Sequence, residues 1–162
     1  MKTKTAAAPA PYKAPDLASF DSVAAANTGS AVDLYSPKDG ADLNIRIHVL
    51  GRDSDAFKSK NAENNRKRIQ KLQKGGFRPG HAPVDDGEKD GIALLASCTT
   101  GWETMTAQGA EGEDPTWEPA IFLGGQRLEF TEAEAVKLYA KYPWIKEQVD
   151  AVISDRAVFM KG

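Results

Sequence analysis

Residues Leu43 to Leu50 constrain the fold of this chain more than any other segment. They read Leu-Asn-Ile-Arg-Ile-His-Val-Leu, so Leu43, Ile45, Ile47 and Val49 alternate with Asn44, Arg46 and His48. A period of two puts the apolar set on one face of a β-strand and the polar set on the other, whereas a helix would scatter them around its axis. Just upstream, Ser36-Pro37-Lys38-Asp39-Gly40 carries turn chemistry. Proline presets φ there, and Asp-Gly supplies a positive-φ position. Ala31 to Tyr35 form a short strand before the turn. The expectation is a β-hairpin with one buried and one wet face, which other elements must cover on the buried side.

Most of the remaining elements read as helices. A short one is expected from Asp16 to Ala26, with Asp16 or Ser19 as cap and Leu17, Phe20 and Val23 on one face. Another runs from Asp55 to Lys74, with sparse apolar positions and many lysines and arginines, and Gly75-Gly76 stops it. Phe77 to Asp90 and Thr106 to Pro119 read as loops, and Ile92 to Met105 as a mostly buried helix. Ala120–Leu123 and Arg127–Phe130 flank Gly124-Gly125-Gln126 as a second, small hairpin. Thr131-Glu132-Ala133-Glu134 is a capping box, in which hydroxyl and carboxylate each satisfy a free backbone donor. Pro143 ends that helix and opens a last one, from Trp144 to Phe159. The fold class is therefore α+β: an N-terminal β-hairpin, a small second hairpin and four or so helices in a mainly helical domain. Residues 1–15 read as a flexible Ala/Pro-rich tail and 16–162 as a single domain.

Composition narrows the function. The net charge is -2 and the pI about 5.7, which gives no general attraction to nucleic acid or anionic membranes. No apolar run reaches the roughly 20 residues of a membrane helix, and Ala6-Ala7-Ala8-Pro9 is too weakly apolar for a signal peptide. The single cysteine, Cys98, fits a reducing compartment and sits in an apolar stretch, as a packed thiol would. His48 and His81 have no second His or Cys at metal-ligand spacing. Asp85 to Asp90 lacks the ligand register of a calcium loop, and Gly124-Gly125 is too short to cradle phosphate. No catalytic, cofactor or metal residue is expected, so the chain reads as non-enzymatic. The cluster Arg66-Lys67-Arg68 could meet phosphates, but no aromatics interleave it and Asp55 and Glu63 dilute its charge, so a solvated helix face or a protein contact is the better reading.

Three segments together resemble a known family. They are Val32 to Gly40 with Ile45 to Phe57, the apolar stretch ending at Thr100-Gly101-Trp102, and Phe130 to Tyr139 with Tyr142 to Phe159. Their order is similar to that of the tail assembly chaperones of long-tailed bacteriophages, over residues 20–160. The resemblance implies a host-cytoplasmic protein that coats the phage tape measure protein before the tail tube polymerises around it. A long helical protein with exposed apolar seams would otherwise aggregate. It implies the tail tube protein as a second partner, through a longer frameshifted product in some members, and a homo-oligomer is a further arrangement. A structural subunit of the virion tail and a nucleic-acid-binding regulator are the alternatives. The candidate partner-binding residues are Phe57, Arg66, Arg68, Ile69 and Leu72 on the basic helix, with Tyr142, Trp144, Ile145 and Phe159 near the C-terminus. Core packing is the competing account of Trp144 and Ile145.

Overall fold

The alternation in Leu43 to Leu50 produces the strand it predicts. The computed structural model describes residues 7–75 and 84–161. Strands β1 (Ser30–Tyr35) and β2 (Asp42–Val49) pair antiparallel across the expected turn, where Gly40 takes φ 73°. Val32, Leu34, Ile47 and Val49 lie on the buried face. The fold is α+β as expected, but the hairpin is half of a larger sheet. β3 (Thr99–Ala107) and β4 (Thr116–Glu118) extend it in the order β1-β2-β3-β4, every neighbour antiparallel.

Two expected elements are corrected here. The helix expected from Ile92 to Met105 ends at Cys98, and Thr116 to Glu118 are not loop. Thr99, Thr100, Thr104 and Thr106 are stiff, β-branched residues, and Gly101 weakens a helix, so this stretch favours the pleated sheet. Trp102 pairs with Ile47 across the sheet and reaches the core. Its indole N–H donates to the Leu128 carbonyl at 3.0 Å, and its ring meets Phe130 edge-on at 5.1 Å.

The helices are α1 (Ser22–Thr28), α2 (Asp55–Gly75), α3 (Val84–Cys98), α4 (Glu132–Lys141), α5 (Pro143–Ser154) and α6 (Arg156–Met160). α3 starts earlier than expected, inside the stretch read as loop. Ile92, Leu95 and Ala96 bury on one side of it, and this packing carries the helix through Gly87 and Gly91. The rest of that expected loop, with His81, lies outside the described residues, as do Met1 to Ala6 of the expected tail. Residues 7–16 carry no helix or strand.

Aspartates divide two expected helices. Asp21 accepts from the Val23 and Ala24 amides at 3.1 and 3.0 Å, so α1 starts at Ser22 and a 3-10 turn, Leu17–Phe20, precedes it. Leu17 and Phe20 consequently stay exposed while Ala26 is buried. Asp155 accepts from the Ala157 amide at 3.0 Å and separates α5 from α6. The second hairpin, β5 (Ala120–Leu123) and β6 (Gln126–Glu129), forms as expected; Gly124 and Gly125 take φ 56° and 80°, the positive pair a tight reversal needs. Thr131 caps α4 by accepting from the Glu134 amide at 3.1 Å. The Glu134 carboxylate turns to Lys137 at 3.1 Å, so it is an ion-pair partner in place of the reciprocal cap.

α3 and α5 pack on the buried face of the sheet, with α4 beside them. Tyr139 is fully buried there, 2.6 Å from the Thr99 hydroxyl. That hydroxyl donates its one proton to the Leu95 carbonyl at 2.9 Å, so the phenol donates to Thr99. Burial pushes the Tyr139 phenol up to about 12, which keeps the donor protonated. On the sheet edge, the Gln148 carboxamide accepts from the Tyr35 amide and donates to its carbonyl, both at 2.9 Å. It thereby closes part of the open ladder of β1.

Gly51 lies where β2, α1 and α6 converge. A Cβ added there would stand 2.9 Å from the Ala26 Cβ and 3.0 Å from the Phe159 ring. Gly51→Ala is expected to destabilise the chain by about 1–3 kcal/mol, the usual cost of overpacking a filled junction. Urea unfolding followed by circular dichroism measures it, and an unchanged midpoint would refute close packing at this point.

Candidate functional site

α2 is anchored at its start and exposed towards its end. The Ser54 hydroxyl accepts from the Phe57 amide at 3.2 Å and caps the helix; Ser54 is fully buried. Asn27 locks the first turn from α1, accepting from the Asp55 amide at 3.0 Å and donating to its carboxylate at 3.2 Å. Phe57 packs against the core. The buried Asn64 donates to the Asp90 carbonyl at 3.1 Å, which fastens α2 to α3. Beyond Asn64, every residue from Asn65 to Gly75 is exposed.

This exposed half brings together four of the candidate contact residues. Ile69 and Leu72 are 54% and 55% exposed, unusual for large apolar side chains on a helix that is polar elsewhere. Arg66 precedes Ile69 by three residues and Arg68 precedes Leu72 by four, so on the helix surface the two arginines neighbour the apolar pair. Glu63 closes the stem's base by pairing with Lys67 at 2.6 Å and Lys60 at 3.4 Å. The other candidates do not join this face. Ile145 and Phe159 are buried in the core, and Tyr142 and Trp144 are half-buried against it. They hold α5 and α6 in place, as the packing account of Trp144 and Ile145 has it.

A second polar arrangement lies on the sheet face turned away from the core. Arg46 donates to Asp33 at 3.1 Å and stacks over the Trp117 ring at 4.0 Å. His48 meets Glu103 at 3.2 Å. The wet face of β2 was visible in the alternation, but Glu103 and Trp117 were not, because their strands read as helix and loop. The β-branched threonines at 99, 100, 104 and 106 were the available signal.

The described residues hold no cluster of three or more His, Cys, Asp or Glu placed to bind a metal ion. The Cys98 thiol is buried, and burial pushes it up to about 11, away from the thiolate a nucleophile needs. A depression lined by Ser22, Ala26, Arg52, Asp53, Arg156 and Phe159 encloses about 160 Å³, open solvent included. Small-molecule pockets start at roughly 300 Å³. The depression is better understood as a clasp. Arg156 donates twice to Asp53, at 2.6 and 3.0 Å, and ties α6 to the loop before α2. No family model, curated protein or solved structure matches the chain.

The clasp sets an acid-sensitive contribution to stability. The Arg156 hydrogen bonds, with help from Ser22, hold the Asp53 carboxyl down at about 2, from an ordinary 3.8. A depressed carboxyl stabilises the folded state above its unfolded value and loses that contribution as pH falls towards the folded value. Wild type is therefore expected to be more stable than Asp53→Asn at pH 6, with the difference shrinking below pH 4 and nearly gone at pH 2. Denaturant midpoints of both proteins across this range test it; a constant difference would show that the clasp does not titrate.

Proposed function

We propose that the chain is a tail assembly chaperone-like protein of a tailed bacteriophage, which binds the tape measure protein in the host cytoplasm and assists tail morphogenesis without catalysis. The order of the three resembling segments suggests the family. The structural observation that carries a binding role is the distal half of α2, on which Ile69 and Leu72 stay more than half exposed. A helix maintained in this state is suited to reversible contact with another apolar surface.

One observation favours a second reading, a structural subunit of the virion tail. The sheet has four strands instead of two, and β1 and β4 are its edges, where a further chain could pair. Gln148 covers β1 only at Tyr35, and β4 is three residues long, so both edges are short templates.

Co-expression with the neighbouring tail gene products, followed by affinity capture, separates the two. The chaperone reading predicts capture of the tape measure protein and no copies of this chain in purified virions. Stoichiometric amounts in the virion would overturn it in favour of the subunit.

A further inference from the structure

We infer that the distal half of α2 is a docking stem for an acidic amphipathic helix of a partner protein. The inference rests on the binding role proposed above and names the surface and the partner chemistry. Residues 65–75 contain five cations, Arg66, Lys67, Arg68, Lys71 and Lys74, and no anion. The net charge of the whole chain is -2, so the positive charge is concentrated on this stem against an acidic body. Asn64 points its amide at α3, and Ile69 and Leu72 lie about 140° and 80° around the axis from it at 100° per residue. The apolar pair therefore lies to one side of the packed direction, Leu72 nearer to it than Ile69; both side chains are more than half exposed, and Arg66 and Arg68 flank them.

This pattern selects the occupant. Apolar side chains three apart, bordered by arginines, match a helix with a leucine seam and carboxylates on its flanks. Arginine adds a two-pronged grip on each carboxylate. A second copy of the stem would bring Arg66 and Arg68 against the same two arginines, so self-pairing is opposed. A nucleic acid would use the cations but leave Ile69 and Leu72 against a phosphate backbone, and among the described residues of the stem there is no aromatic ring on which a base could stack.

Titration calorimetry with the full chain tests the assignment. The probes are a synthetic heptad peptide of about 28 residues with leucine at the seam and glutamate on its flanks, a twin with lysine flanks, and a duplex DNA of about 20 base pairs. Wild type is expected to bind the glutamate peptide and not the lysine twin. Arg66→Glu/Arg68→Glu should weaken the glutamate peptide at least tenfold and gain the lysine twin. Ile69→Ser/Leu72→Ser should weaken the glutamate peptide by a similar factor. All four side chains are exposed, so unchanged thermal midpoints are expected and separate lost contact from lost fold. Glutamate-peptide binding by both variants at the wild-type level would overturn the inference, as would tighter binding of the duplex. The same variants in the tape measure capture distinguish the two readings. Wild-type capture that both variants retain sinks the stem and leaves the chaperone. A wild type that binds the peptide but captures no tape measure protein sinks the chaperone and leaves the stem.

Discussion

The pairing of Ile47 with Trp102 is the contact on which the other elements depend. Both side chains are buried on the same face, and that face sets the register of β2 against β3. A slip of one residue would turn Ile47 and Val49 to solvent and carry Arg46 and His48 inward, which a buried face forbids. The remaining elements follow from this register. α3 runs directly into β3, and the Leu50 amide bonds the Cys98 carbonyl at 2.8 Å, so the strand fixes where the helix must lie. The Trp102 indole then holds the second hairpin through Leu128, and Thr99 presents its hydroxyl to Tyr139 of α4. A single strand thus joins the sheet, the hairpin and two helices.

Features encoded within a few residues were legible before the fold was known. The alternation of β2, the turn at Asp39-Gly40, the glycine pair at 124 and 125, the Thr131 cap and the break at Pro143 each work through local backbone geometry. The departures came where tertiary packing decides. Ile92, Leu95 and Ala96 have helical spacing, and Trp102 continues the apolar run, so hydrophobicity alone does not mark the switch at Thr99. Asp21 and Asp155 divide helices because a short carboxylate can cap wherever the chain offers free amides, and neighbouring residues are neutral to that choice. The candidate site divides in the same way. The basic half of α2 is recognisable from its residues, because no packing overrides a solvated face. Ile145 and Phe159 carry the same apolar signal whether they face a partner or a core, and only the packing of α5 and α6 separates the two.

The stem raises the question of why it is helical at all. Its helix contributes no buried residue after Asn64. Isolated helices of this length are marginal in water, because nucleation is costly. Here the nucleus is supplied by the capped and packed first half of α2, through Ser54, Asn27 and Asn64, and the rest needs only propagation. Arg, Lys, Gln and Leu, the main residues of the stem, lose little side-chain freedom in a helix and propagate it well. Lys74 in the last turn also suits the negative end of the helix dipole.

This division of labour separates folding from recognition. The body needs Gly51, Trp102 and Tyr139 at fixed positions, and changes there act on stability. The stem extends about 16 Å beyond Asn64 at 1.5 Å per residue, and each of its residues is exposed. Exposed positions of this kind usually change stability by less than about 0.5 kcal/mol when substituted. Under the proposed binding role, charge and apolar content on the stem are therefore free to be set by a partner, while the sheet and its helices hold the base still. For the proposed docking role, such a base also limits the entropy lost on binding, because the contact surface is already helical before a partner arrives.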